Sequence, residues 1–543
     1  MNFKFYSNDK NFLITNSKKI CSTLPEKTED TNRLYGYYFD DNDLHKDCEL
    51  TNYTASHLKN NLGTISGLFC SIIYKDKKIS LLVDPLVQYS IFYYIGKNEI
   101  SISNDLLTLS KLHELNEMSD EHLFDSIAYR SPLRGLTIIK DIYTLQYDDL
   151  VGDGVTHSHK KIPPLNSHNL SVARPNNEIY NQFEYKDLLK LYIHRLNTRS
   201  RILSEKFEEI HIQLTGGADS RLTLSSMLMH DNFYCYCYGN GESSNRLFFE
   251  QIVTELNLKI SDNIPFVGRS LSNSSLIIKG LIDSNFRKFN NLNTYVNSDD
   301  FMSPEKCKVT GYYGANISGG VALPPIDTDK NIRTKFIDKS YYTYHNYIND
   351  MKRKHHEYRK AAFNDLFYIN NRGPSHYGSH SIADNKKCNS FDILYDPINI
   401  HLVRKCPYTD DHINRNAISI DLIYKNHKML ALFPYESRKI PKYREFKNIP
   451  LINCFNGFDF PKRTLAPIRY TKVAINTKPY DLLMKGDKHA SIDEMLQYEE
   501  FNTFYEKYNF LKRVKYEDQT TSSIILFYML SYFIVNNQSR SHP

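Results

Sequence analysis

Leu214-Thr215-Gly216-Gly217-Ala218-Asp219-Ser220-Arg221 is the stretch that decides how this chain folds. It follows a short run of alternating apolar residues, Glu209-Ile-His-Ile-Gln. After it, Leu222, Leu224, Met227 and Leu228 recur at near-helical spacing. The octet therefore leaves a strand and opens a helix. Two adjacent glycines let the backbone turn tightly and come close to an anion. The helix start offers N–H groups without intrahelical partners and the positive end of its dipole, both of which suit phosphate. Thr215 and Ser220 add hydroxyls, and Asp219 carries the charge to hold Mg2+ against that phosphate. Asp and Ser are also ordinary helix caps, so a plain N-capped turn is the competing reading. It is not a Walker loop, which would end in Gly-Lys-Ser/Thr.

Working outward, the alternation of elements continues on both sides. Leu188 to Ile202 is a basic amphipathic stretch of helical period, Phe233 to Tyr238 reads as a strand, and Asn245 to Leu256 as a helix. Strand and helix in alternation predict a parallel, doubly wound α/β sheet. Upstream the pattern differs. Gly67 to Tyr74, Ile79 to Asp84, Tyr89 to Tyr94 and Glu99 to Ser103 are closely spaced β-rich runs, so residues 1 to about 160 read as strands and turns in an antiparallel sheet. Pro163, Pro164, Pro175 and several Asn and Ser give residues 161–178 the composition of a linker. Beyond about residue 330 the chain reads as mostly helical, and no internal repeat is found. The basic run Lys352 to Lys360 reads as a solvated helix face.

Composition narrows the function classes. Of 543 residues, 41% are hydrophobic and 24% charged, which excludes a disordered chain. Lys+Arg exceed Asp+Glu by only 68 against 62, a net charge of +6, so nothing argues for nucleic acid as a partner. Nine scattered cysteines, an odd number, read as reduced thiols in a cytoplasmic protein. MNFKFYSNDK has no apolar signal core. The longest apolar run, Ile524 to Val535, falls short of the roughly 20 residues a membrane span needs and reads as a buried C-terminal helix.

The glycine octet resembles the Ser-Gly-Gly-x-Asp-Ser loop of the ATP pyrophosphatases, with Thr215 in place of the first Ser. More narrowly it is similar to the synthetase domain of the asparagine synthetase and β-lactam synthetase family. Three further stretches carry the likeness: Tyr234 to Tyr238 with the glycine turn after it, Val309-Thr-Gly-Tyr-Tyr-Gly-Ala-Asn, and Phe460-Pro-Lys-Arg. The resemblance implies ATP and Mg2+ as cofactors. It implies nucleotide contacts from Leu214, Thr215, Gly216, Gly217, Asp219, Ser220, Tyr238 and Gly311, and metal contacts from Asp219 and Asn316. Tyr312 stands where the family places the residue that helps deprotonate the attacking amine. Lys462 stands where it places the lysine that balances transition-state charge, with Lys442 and Arg463 as fallbacks. Ala315 and Asn316 replace the usual second-loop Asp, so the metal leans on Asp219. The acidic partner of the tyrosine falls near Asn389 and Asp392.

Residues 67–143 resemble the family's glutaminase-type domain, implying an Ntn-type αββα sandwich over residues 1–165 ahead of an ATP-pyrophosphatase domain over 180–543. That glutaminase needs an N-terminal cysteine, whereas this chain begins Met1-Asn2-Phe3, with its first cysteine at Cys21. The implied enzyme adenylates a substrate carboxylate and transfers the acyl group to a substrate amine without glutamine hydrolysis. Natural-product or peptide biosynthesis is the expected setting, in a complex with other biosynthetic enzymes. Two other readings use the same residues. One is a catalytically inactive synthetase fold acting as a binding partner, which the Ala315 and Asn316 substitutions motivate. The other is an enzyme that amidates a surface-polysaccharide sugar acid.

Overall fold

The computed structural model describes residues 3–61, 64–129, 131–150, 156–157, 160–161, 169–173, 177–237, 244–261, 274–287, 301–314, 346–353, 355–410, 416–433 and 435, and a few positions between 528 and 536. The fold is mixed α/β. Four strands, Phe233–Tyr236, Glu209–Gln213, Lys306–Thr310 and Ser390–Asp392, lie side by side in that order, each parallel to the next. Ile210, Ile212, Cys235, Cys307 and Phe391 are fully buried in it, as expected of a parallel sheet covered on its faces. Helix Tyr185–Lys206 buries Leu188, Leu189, Tyr192, Leu196 and Leu203 at three- and four-residue spacing, which confirms the amphipathic reading of this stretch.

From the Glu209–Gln213 strand the chain passes through helix Ala218–Met227 to Phe233–Tyr236 on one side. It later returns to the other side for Lys306–Thr310. The direction of winding thus reverses at the Glu209–Gln213 strand. In open α/β sheets that reversal opens a crevice at the carboxyl ends of the strands, where ligands bind.

The first 173 residues carry a six-stranded sheet and a five-stranded sheet. The six-stranded sheet is antiparallel throughout, as expected from the close strand spacing. Alternation along Thr31–Phe39 shows how the layers stack. Tyr35, Tyr37 and Phe39 face inward with Phe5, Phe12 and Ile14 of the other sheet, and the Phe12 and Tyr35 rings are 5.2 Å apart. Leu34 and Tyr38 face outward, against Ala55 and Leu58 of helix Asn52–Asn61. Helix Leu106–His113 lies against the six-stranded sheet, giving helix, sheet, sheet, helix.

Two corrections to the sequence reading belong here. Helices Asn52–Asn61, Leu106–His113 and Asp120–Tyr129 lie in a region read as strands and turns. Each has only eight to ten residues, so its period is brief. One start signal was nevertheless present: Asp105 accepts the Thr108 N–H at 2.8 Å as an N-cap. Within the stretch of linker-like composition, Leu170–Ala173 is an edge strand parallel to Lys78–Val83. The C-terminal apolar run behaves as expected, with Tyr528, Ser531, Ile534 and Val535 buried and the described positions helical. No described helix is long and apolar enough to cross a membrane.

Candidate active site

The octet sits where the winding reverses. Leu214 is fully buried and donates its N–H to Tyr236 O at 2.9 Å, tying the loop to the neighbouring strand. The loop then closes on itself. The Thr215 N–H donates to Ser220 Oγ at 3.1 Å, the two hydroxyls lie 3.0 Å apart, and the Gly217 N–H donates to Thr215 Oγ1 at 3.2 Å. Gly217 is the N-cap of helix Ala218–Met227 and no side chain caps that end. The first-turn amides of Ala218 and Asp219 therefore have no intrahelical acceptor. A helix N-terminus left open in this way is of the kind that suits an anion.

Arg221, which sequence reasoning passed over, holds the loop from behind. It is fully buried, donates to Gly216 O at 3.3 Å and to Phe433 O at 2.8 Å, and lies 4.0 Å over the Tyr435 ring. Asp219 makes no side-chain hydrogen bond among the described residues, and burial raises its pKa to about 7. An unneutralised carboxylate beside a phosphate-type loop is suited to a divalent cation. Among the described residues no group of three or more His, Cys, Asp and Glu stands ready to hold a metal alone. The fit is to an ion shared with phosphate oxygens.

The second loop comes from the adjacent strand. Lys306–Thr310 runs into Gly311 and the 3-10 turn Tyr312–Gly314. A Cβ on Gly311 would lie 2.7 Å from Thr223 Oγ1, and one on Gly314 would overlap the Asp219 carboxyl group. Glycine at 314 thus lets the second loop come into contact with the acid of the first. The two adjacent tyrosines separate in role. Tyr313 is core: it is fully buried, its N–H donates to Asp392 Oδ2 at 3.0 Å, and its ring meets Tyr395 edge-on at 4.6 Å. Tyr312 keeps part of its surface open and stacks parallel to Tyr377 at 5.4 Å and against His380 at 5.3 Å.

Of the two residues expected near the tyrosine, only Asp392 is there. Asp392 is at the carboxyl end of its strand. Burial raises its pKa to about 7 against three backbone N–H donors, and Asp219 adds to the rise. Asn389 precedes the amino end and accepts from Lys46 Nζ at 3.0 Å, which corrects its placement in the site. Behind Tyr312 runs a buried pair that the sequence reading missed, Lys308 Nζ to Asp384 Oδ2 at 2.6 Å. Burial pushes the Lys308 ammonium down, but Asp384 together with Tyr312, Tyr236 and Cys388 offsets this and holds its pKa well above the usual range. The available signal was slight: a lysine flanked by Cys307 and Val309 in a strand that also carries Lys306 and Thr310. Tyr238, Ala315, Asn316, Lys442, Lys462 and Arg463 lie outside the described residues.

No family model and no curated protein sequence matches this chain.

Proposed function

We propose that the protein is an ATP-dependent, AMP-forming carbon–nitrogen ligase of the asparagine synthetase and β-lactam synthetase type. In this reading a doubly wound ATP-pyrophosphatase domain follows an Ntn-type sandwich. The supporting observation is the meeting of the two glycine loops: a helix N-terminus with no side-chain cap and the carboxylate of Asp219, closed over by Gly314. The amides of Ala218 and Asp219 bind the phosphates, Thr215 and Ser220 hold the loop's shape, and Gly311 keeps the second loop close. Asp219 would hold Mg2+, which would supply positive charge to the phosphates.

A substrate carboxylate oxygen attacks the α-phosphorus, forming the acyl-adenylate and releasing pyrophosphate. A substrate amine then attacks the acyl carbon, AMP leaves, and the amine proton passes to a base on the Tyr312 side. Lys462 remains the candidate for charge balance in both steps. The first test is ATP–pyrophosphate exchange with Mg2+ across a panel of carboxylic acids, alongside calorimetric titration with ATP. Acid-dependent exchange is the expected result. Tight nucleotide binding without exchange for any acid would favour the inactive binding partner, and no binding at all would end the ATP reading.

A further inference from the structure

The N-terminal sheets do more than flank the crevice. The turn Asp84–Tyr89 joins strand Lys78–Val83 to Phe92–Ile95 and is driven into the carboxyl end of the parallel sheet. Asp84, Val87 and Gln88 are fully buried. Asp84 organises the turn, accepting the N–H groups of Leu86 at 3.2 Å, Gln88 at 3.0 Å and Tyr89 at 2.7 Å, together with the Tyr395 hydroxyl. Val87 is held at φ 54°, in the left-handed region that a β-branched residue enters only under constraint from its surroundings.

That constraint aims Gln88 at the site. Its Nε2 donates to Leu86 O at 2.7 Å and to Ile369 O at 3.0 Å, and its Oε1 faces the Tyr313 hydroxyl in a long contact of 3.4 Å. The opposing helical segment makes room for it. It passes through two π turns, Tyr368–Arg372 and Pro374–Gly378, and a Cβ on Gly373 would strike Gln88 Oε1 while one on Gly378 would strike Gln88 O. The segment that carries Tyr377 and His380 against Tyr312 is therefore shaped around this one residue, its side chain at Gly373 and its backbone at Gly378. A second tie runs beside it, since the Asp392 N–H donates to the Tyr37 hydroxyl at 2.8 Å.

We propose that Gln88, carried on the Asp84–Tyr89 turn, is a positioning residue that fixes the second glycine loop, Gly311–Gly314, against Asp219. The N-terminal sheets then serve the site as its rear wall, with no chemistry of their own required. The claim rests on the functional reading only in what the loop is positioned for. Loops held this way lose rate steeply on small displacements, with about 1 Å costing on the order of a hundredfold.

The test compares Gln88→Met, which keeps the bulk and removes the amide, with Tyr313→Phe, which removes only the facing hydroxyl. The first readout is amide hydrogen exchange at Tyr313 and Gly314, whose N–H groups are bonded to Asp392 and to Gly311 O. Faster exchange there is expected in Gln88→Met and, to a smaller extent, in Tyr313→Phe, with the Glu209–Gln213 strand unchanged. The second readout is pyrophosphate exchange. There kcat should fall ten- to a hundredfold in Gln88→Met with KM for ATP within about threefold, and the double variant should fall no further. Wild-type exchange at Tyr313 and Gly314 in both variants would overturn the proposal, and so would protection lost evenly across the parallel sheet. If the wild type neither binds nor turns over nucleotide, the ligase reading fails, and the amide comparison still decides the positioning role.

Discussion

Asp219, part-exposed between the glycine loops, and the buried Asp392 are both acids whose ionisation desolvation makes costly, and Asp219 adds to the cost at Asp392, so the gap between the loops is where that cost can be relieved. Neutralising Asp219 should therefore remove metal-dependent affinity specifically. For Asp219→Asn, calorimetry should show affinity for a magnesium complex of a non-hydrolysable ATP analogue falling at least about tenfold, while affinity for the metal-free analogue changes little. Equal losses in both would mean that Asp219 only shapes the loop. A different acid controls stability. Hydrogen bonds from His45 and from the backbone of Asn42 and Asp43 outweigh burial and hold Asp40 at about 2, while the bond to Asp40 lifts His45 from 6.5 to about 9. A raised histidine pKa stabilises the fold fully below its unfolded value and loses that contribution as pH climbs through about 9. The lowered Asp40 pKa acts in the opposite sense, its contribution being lost only as pH falls through about 2. His45→Gln should thus cost about 1 kcal/mol in urea unfolding near pH 6. The deficit should vanish by about pH 10, and a deficit constant across that range would remove the pair from the account.

Among the elements, the Lys306–Thr310 strand carries the least conventional choice. Lys308 is fully buried there and its ion-pair partner, Asp384, comes from helix Ser379–Lys387. Removing one partner strands a charge, so Asp384→Ala should lower stability by about 3–5 kcal/mol. The double change Lys308→Met with Asp384→Leu should recover most of it. Comparable losses in the single and double variants, measured by denaturant unfolding, would show that the pair is not the source of the cost. This pair also marks how far the sequence could be read. The Glu209–Gln213 strand, its glycine loop and the helix after it were legible because period, turn chemistry and cap lie within about twenty consecutive residues. Lys308 with Asp384, Arg221 with Phe433, and Gln88 with Ile369 were not, because each joins residues 76, 212 and 281 positions apart. Nothing local encodes such partners. Tyr312 was singled out by its place in the motif, whereas nothing local marked its neighbour Tyr313 as core, which its burial and its bond to Asp392 reveal.

At the scale of the whole molecule, the question is whether the N-terminal sheets and the parallel sheet behave as one cooperative body. Phe391 of the parallel sheet packs against Tyr37 at 5.1 Å, Phe39 at 6.1 Å and Phe207 at 5.7 Å, so a single apolar cluster crosses between them. Polar ties cross beside it: Arg199 donates to both Asp396 and Ser66 Oγ, and Lys206 donates to Leu44 O at 2.7 Å. Arg199 parted from Ser66 Oγ and Lys206 parted from Leu44 O would lose acceptors that the N-terminal half supplies, and Tyr37 and Phe39 left without Phe391 would face water. Neither half can open without exposing groups that the other satisfies. Calorimetric unfolding of the full chain should accordingly show one transition for both sheet systems, and Phe391→Ala, at about 3–5 kcal/mol, should move it as a unit. Two resolved transitions in the wild type, or a Phe391→Ala shift confined to one of them, would show that the halves are coupled only at the crevice and not through the core.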